Sequence, residues 1–432
     1  MLVNFKVKNF RSFKNEITFS MQATKDNEFK DFNTFSVFEN LLPNNQNVLL
    51  KSAMIYGPNA SGKSNILKGL FFMQNAIRLS AAPSLGVISR NETFAFAKDW
   101  GNKESFYEVD FIEKNTFYRY NFTIKNGLII EENLFRRNER LSFLYKRGKD
   151  NIEIAGIDQK TLNLIKIPSS SLFVSTAENF QLPVEVQKGI SDTFHWFNQL
   201  MIVFQETVNM FRIYEEKDKK YLTQAMEILR MADIGIKDFS VVQEQILSME
   251  DIISAKPRNI PLGLQEAQIE QGPQGVGKID LKTIFGVYDS KGDQVDTKEI
   301  YLLRDSGFNS DGTKRLLFYL GWILAALDEG RVIFIDEIDS KLHLPLADYI
   351  IKSFNSIVKN SKNAQLIGTA HNLMLMDGDV RRDQIYFTSK DKMGVSELNS
   401  LSDFKNVRKT DLFSKKYLLG FYSKLPNMNE DF

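Results

Sequence analysis

Gly57-Pro-Asn-Ala-Ser-Gly-Lys63-Ser64 has the residue types and spacing of a phosphate-binding loop, G-x-x-x-x-G-K-[ST]. Gly57 and Gly62 let backbone amides close on an anion, and a helix starting just beyond adds its positive end. In such a loop Lys63 would reach the β- and γ-phosphates, and the Ser64 hydroxyl would bind Mg²⁺. The residues before it, Ala53-Met-Ile-Tyr56, read as a buried strand; Ile66, Leu67, Leu70 and Phe71 after it are expected on one helix face. Strand, loop and helix are the context the motif needs, so a nucleotide is the expected ligand.

A second group of chemical residues ends another apolar run, Val332-Ile-Phe-Ile-Asp336-Glu337. A carboxylate at such a strand end can hold the Mg²⁺ shell, the role expected of Asp336. Glu337 would act as general base on the attacking water. Paired acids at a strand end are often merely solvated, but four apolar residues directly before them argue against that here. Thr369-Ala-His371 ends the next expected strand, and open α/β sheets bind ligands at the carboxyl ends of their strands. His371 would then hydrogen-bond near the γ-phosphate. The chain has three histidines; His195, in an aromatic-rich helix, is expected to pack, and His343 stays open. Ser310-Asp-Gly-Thr-Lys-Arg315 precedes an apolar helix and reads as an N-cap or as a further phosphate contact. Gly272-Pro-Gln-Gly-Val-Gly277-Lys278-Ile279 imitates the phosphate loop but ends in Ile, which cannot ligate Mg²⁺, and reads as a flexible loop.

Positioning these residues requires parallel strands with crossover helices. Leu316, Leu317, Leu320, Ile323, Leu324 and Leu327 make one helix face; Arg331–Ile335 and Gln365–Thr369 are strands, with a helix marked by Leu342, Leu346, Ile350, Phe354 and Ile357 between them. Residues 1–24 read as two strands. Four more, Phe106–Ile112, Phe117–Ile124, Leu128–Phe135 and Leu141–Tyr145, are separated by turns such as Lys-Asn and Asn-Gly and read as an antiparallel region. Residues 180–236 turn helical, with Phe194, Phe197, Leu200 and Met201 at helical spacing, and 255–300 are mixed and rich in Gly and Gln. No sustained heptad series is present, so no long coiled coil is expected.

The 432 residues carry a net charge of +1, which gives no global field toward nucleic acid or membrane. The longest apolar stretch, Leu316 to Leu327, is too short to span a bilayer. Cysteine is absent, which excludes disulfides and thiolate metal sites and suits a cytoplasmic setting.

Together these pieces resemble the ABC-type ATPase head of the SMC, RecF and OLD group. Asn9-Phe-Arg-Ser-Phe13 resembles the N-terminal motif whose arginine, here Arg11, approaches the nucleotide. Ser310-Asp-Gly312 resembles the ABC signature, with Asp311 where that pattern has glycine; Asp339-Ser340 resembles the D-loop and His371 the switch histidine. The resemblance implies an α/β fold of mixed and parallel sheets with flanking helices, an antiparallel β subregion and a mostly helical insertion. It places a first ATPase lobe at 1–180, a mostly helical or mixed insertion at 181–300, and a second lobe at 301–432. It implies ATP and Mg²⁺ as cofactors, Glu337 and His371 in catalysis, and Ser64 and Asp336 at the metal. Gly57, Asn59, Gly62, Lys63, Ser64 and Arg11 would hold the nucleotide. Ser310, Gly312 and Asp339 would come from a second copy paired head to tail, with further homo-oligomerisation open.

Leu229–Ile236, Phe173–Ala177, Asp383–Phe387 and Leu418–Pro426 are similar to bacterial abortive-infection ATPases, the group that includes the AbiL and PARIS subunits. Those subunits lack a Toprim nuclease, which a separate chain supplies, and the residues after Phe387 here are too few for one. Asp377-Gly-Asp379 reads as a solvated turn. The resemblance implies a regulatory ATPase that controls a Toprim-type nuclease or other toxin and answers to a phage protein. The alternative is a RecF-like DNA repair ATPase, for which the mildly basic Lys405, Arg408, Lys409, Lys415 and Lys416 would meet DNA.

Overall fold

The computed structural model describes residues 1–42, 47–137, 140–162, 165–204, 213–214, 220–232, 235–248, 269–272, 275–302, 304–305, 307–405, 407–408 and 411–422. The chain forms two compact units. The first comprises Met1–Ile202, Gly330–Ile338 and Ile351–Phe432; the second comprises Val203–Glu329 and Asp339–Ile350.

The first unit holds the sheet that matters for chemistry. Its central strands run in the order Val332–Ile335, Gln365–Thr369, Ser52–Tyr56 and Ile385–Lys390, all parallel, with Ser396–Ser400 closing one edge antiparallel. Every residue of Ser52–Tyr56, Val332–Ile335 and Gln365–Thr369 is buried, as expected of parallel strands covered on both faces. Register aligns Ile335 with Gly368 and Thr369 with Ile55, so the three strands end side by side. The helix Lys63–Leu79 follows the central strand and buries Ile66, Leu67, Leu70, Met73 and Ile77. Phe71, expected on that face, is instead 39% exposed, because the buried stripe runs through Leu67 and Leu70 and leaves Phe71 one position round the helix.

A second sheet in this unit is wholly antiparallel: Ile152–Ile154, Leu141–Arg147, Leu128–Arg137, Thr116–Lys125, Ser105–Glu113, Leu2–Lys8 and Ile17–Ser20, in that order. The expected strands 106–112, 117–124, 128–135 and 141–145 lie inside these limits. Their turns are built as the sequence demands: Lys114-Asn115 and Asn126-Gly127 all take positive φ, which matches the twist of a two-residue hairpin. Gln365 joins the two sheets. Its side-chain oxygen accepts from the Leu2 amide at 2.6 Å and its amide donates to the carbonyls of Leu2 and Leu50, both at 3.1 Å.

One buried charge organises the antiparallel sheet. Glu132 has no exposed surface and accepts from Tyr120 Oη, Tyr145 Oη and Arg147 Nη1 at 3.0, 2.8 and 3.2 Å. It also takes the amides of Phe173 and Val174 at 2.6 and 3.0 Å, which fixes that segment on the sheet.

The second unit contains the helices Lys220–Met231 and Asp311–Glu329, which pack on each other, and a four-stranded antiparallel sheet of Ile236–Ser248, Gly275–Tyr288, Ile269–Gly272 and Gln294–Tyr301. The Gly- and Gln-rich stretch thus supplies strands. The imitation of a phosphate loop lies here: Gly272 pairs antiparallel with Gly275, and 275–279 belong to a strand rather than a flexible loop; residues 273–274 lie outside the described residues. The expected break at 233–236 is described only at Gly235 and Ile236. No helix among the described residues is long and apolar enough to cross a membrane.

Candidate nucleotide site

The phosphate loop leaves its strand at Gly57 and enters its helix at Lys63. Gly62 is the helix N-cap with φ 110°, a backbone conformation open to glycine and strained for other residues. Space is equally short at Gly57, where a Cβ would clash with Thr388 Oγ1 and lie 2.5 Å from the Thr388 carbonyl. Ser61 Oγ and Thr388 Oγ1 share a hydrogen bond of 2.5 Å that pins the loop to the neighbouring strand. Asn59 is exposed at the loop tip. Lys63 is buried and its ammonium donates to the carbonyls of Gly57 and Pro58 at 2.8 and 3.2 Å, so its charge lies over its own loop.

The acid pair faces this loop because the parallel strands end together. Ser64 Oγ donates to Asp336 Oδ1 at 2.9 Å. Thr369, to which the sequence alone assigns no role, also donates to Asp336 Oδ1, at 2.7 Å, and its hydroxyl accepts the Glu337 amide at 2.7 Å. The Thr369 carbonyl accepts the Ile338 amide at 3.0 Å, so one residue pins the whole turn after the acid strand. Glu337 sits in the left-handed region with φ 52°, a conformation that costs a non-glycine residue about 1–3 kcal/mol and persists only when its surroundings impose it. Its Oε1 is 3.6 Å from His371 Nε2. The signal for Thr369 was present in its place at a strand end beside the acids, but a threonine in a strand is ordinary.

Arg11 also has positive φ, 50°, and its amide donates to the Glu92 carbonyl at 2.9 Å. Its Nη2 pairs with Glu92 Oε1 at 2.6 Å, so its guanidinium is engaged by a carboxylate.

Ser310, Gly312 and Asp339 belong to the second unit. Ser310 caps its helix by accepting the Thr313 amide at 3.1 Å. A Cβ on Gly312 would lie 2.6 Å from the Lys341 carbonyl, so only glycine fits against the segment that follows Asp339. Asp311, where the signature it resembles has glycine, pairs with Lys341 at 2.8 Å; that hydrogen bond and charge hold its carboxyl below the usual carboxylate range. The extra negative charge at the helix start is therefore locally offset.

The other histidines are elsewhere. His195 does not pack as expected: it is 45% exposed, with Nδ1 2.8 Å from Glu113 Oε1 and Nε2 2.8 Å from Gln199 Nε2. Its helix ends at Gln199, so Leu200 caps it and Met201 begins a strand rather than continuing the helical face. His343 is exposed. Lys416 of the basic C-terminal run is paired with Asp411 at 2.5 Å, and Lys409 lies outside the described residues.

A family model described as "AAA domain, putative AbiEii toxin, Type IV TA system" matches residues 52–377, from the strand before the phosphate loop to just past His371. The chain belongs to this AAA domain family. Nucleotide binding is thereby expected of the AAA domain, and its residues fit the triphosphate and its ion. Ser64 and Asp336 offer the hard oxygens Mg²⁺ prefers. Among the described residues no group of three His, Cys, Asp or Glu could hold a metal alone, and Mg²⁺ of this kind borrows phosphate oxygens. A comparison with curated proteins gives no match. Among solved structures the AAA domain is similar to the SMC head domain from Thermotoga maritima, at 13% identity and TM-score 0.39, covering 92% of this chain and 98% of that one. It is also similar to the Smc head domain with a coiled coil and joint from Pyrococcus yayanosii, at 13% identity and TM-score 0.42, covering 97% and 99%.

Proposed function

We propose that this AAA domain protein is the ATP-binding and ATP-hydrolysing subunit of a bacterial anti-phage system of the abortive-infection type, and that it controls a separate toxic nuclease or other effector. The observation that supports the enzymatic half is the hydrogen-bonded chain from Ser64 through Asp336 and Thr369 to Glu337. It brings the Ser64 hydroxyl, the Asp336 carboxylate and the Glu337 backbone together at the carboxyl ends of buried parallel strands, which supports reading them as metal ligands and general base. The toxin and toxin–antitoxin system in the family's description support the defence half.

In this reading Lys63 leaves its loop carbonyls for the phosphates, and Ser64 and Asp336 hold Mg²⁺. The bound ion neutralises charge on the phosphates. Glu337 accepts a proton from the attacking water, and His371 positions it. Arg11 exchanges Glu92 for the nucleotide. A second copy, paired head to tail, contributes Ser310, Gly312 and Asp339. The closed pair is favoured while the γ-phosphate is present, and its loss opens the joint and releases the effector.

Phosphate release by the purified chain tests the enzymatic half. Lys63→Ala is expected to lose nucleotide binding. Glu337→Gln is expected to bind normally and turn over at least about a hundredfold more slowly. Retained binding in the first variant, or unchanged turnover in the second, rejects the assignment. The defence half requires a stable complex with the product of a neighbouring gene and phage protection that both variants lose; a chain with neither is not a defence subunit.

A further inference from the structure

Beside the phosphate loop lies a cavity of about 580 Å³, walled by Lys14, Phe94, Phe96, Lys390, Lys392 and Met393. Two short links tie it to the loop. A Cβ on Gly62 would lie 2.8 Å from Ser396 Oγ and 2.9 Å from Ser12 Oγ. Ser396 directly follows Val395, which also lines the cavity, and Ser12 precedes Lys14 by two positions. The Ser396 amide donates to the Ser12 carbonyl at 2.8 Å, so both links form one wall, and Ser396 Oγ is buried there without a hydrogen-bond partner.

The cavity combines an aromatic shelf with donors. Phe96 lies over Gly394, where a Cβ would come within 2.9 Å of the ring, and meets Phe94 edge-on at 5.7 Å. Phe94 meets Trp100 in the same way at 6.3 Å, and Lys14 Nζ sits 4.9 Å over the Trp100 ring. Phe96 and Met393 are 67% and 62% exposed, an unusual amount of apolar surface beside three lysines. Among the described residues no lining side chain is a carboxylate. The nearby Asp391 spends one carboxylate oxygen on its own turn, accepting the amides of Met393 and Val395, both at 2.9 Å. The charged lining is therefore all donor, since an ammonium has no acceptor.

We propose that this cavity receives the base of the nucleotide whose phosphates the loop holds, and that it accepts guanine at least as well as adenine. The proposal rests on the nucleotide reading above. An aromatic shelf stacks any base without distinguishing it. Guanine presents two adjacent acceptors, O6 and N7, whereas adenine pairs N7 with a donating amine. Lys14, Lys390 and Lys392 match the first edge, and among the described lining residues no charged side chain offers an acceptor to the amine of the second.

Equilibrium binding of slowly hydrolysed ATP and GTP analogues to the full chain tests this. The GTP analogue should bind at least as tightly as the ATP analogue. Lys390→Glu, or Lys392→Glu should the first variant melt early, supplies an acceptor and should shift preference toward ATP about tenfold. Phe96→Ala should weaken both analogues about fivefold or more. An ATP analogue that binds wild type tenfold tighter than the GTP analogue overturns the proposal. So does unchanged binding of both analogues to the Phe96 and Lys390 variants while Lys63→Ala abolishes it. A single-stranded oligonucleotide that needs Phe96 and Lys390 when the nucleotide does not would also overturn it. Binding that survives Lys63→Ala but falls with Phe96→Ala would sink the phosphate-loop reading and keep the cavity as a base site.

Discussion

Ser64 Oγ and Asp336 Oδ1 are hydrogen-bonded at 2.9 Å although 272 positions separate them. The contact exists because Ser52–Tyr56 and Val332–Ile335 flank the same strand, Gln365–Thr369, and run parallel to it. Neither side chain reaches far; the sheet register brings them together. Thr369, on the shared strand, is then the natural point to disturb the pair without touching either member.

Thr369→Val keeps the shape and removes both hydroxyl bonds. Asp336 loses a donor, and the strained Glu337 turn loses the acceptor of its amide. If Asp336 and Glu337 act as proposed, turnover should fall about 10- to 100-fold, the usual effect of losing a residue that orients such groups, with nucleotide affinity little changed. Steady-state kinetics beside a binding isotherm would check it; unchanged turnover would remove Thr369 from the site.

Ser310→Arg places a long cation at the start of the helix Asp311–Glu329. The single chain should still bind nucleotide, while nucleotide-dependent pairing measured by light scattering disappears. A pair that forms as in wild type would refute the role assigned to Ser310 across the joint.

Glu132→Ala leaves Tyr120, Tyr145, Arg147 and two backbone amides facing a void. Removing one partner of a buried ion pair commonly costs about 3–5 kcal/mol, and a loss of that order is expected from denaturant titration. A cost below about 1 kcal/mol, within reach of an ordinary surface change, would mean the network is replaced by water.

Alkaline pH should unfold this sheet early. Burial, and then the Glu132 carboxylate, push the Tyr120 and Tyr145 phenols well above their ordinary value of 10.0. A phenol with a raised folded pKa stabilises fully below the unfolded value, and the contribution is lost as pH rises past it. The melting temperature should therefore hold steady toward pH 10 and drop steeply beyond it, and Tyr145→Phe should soften the drop. A flat profile to pH 11 would contradict the burial of these phenols.

The parts of this design visible in the sequence are those with a strict local grammar. Gly57–Ser64, the apolar run into Asp336-Glu337, and the aromatic strands with their Asn and Gly turns each obey one rule over a few residues. Thr369 and Thr388 escaped because their roles come from sheet register, and a strand threonine looks the same whether it binds a catalytic turn or nothing. His195 misled for a related reason: its neighbours Trp196 and Phe197 are buried, but its own face of the helix points to Glu113.

The interleaved order of the sheet has a consequence for how the protein is made. The strand that carries the phosphate loop finds its two neighbours only at Gln365–Thr369 and Ile385–Lys390. At about 5–20 residues per second, a ribosome takes roughly 15–60 s to travel from one to the other. During that interval a strand that is wholly buried in the finished sheet waits unpaired, a natural client for a nascent-chain chaperone. An interrupted message yields a fragment that carries the loop and lacks both Asp336 and the two strands that flank the loop's own.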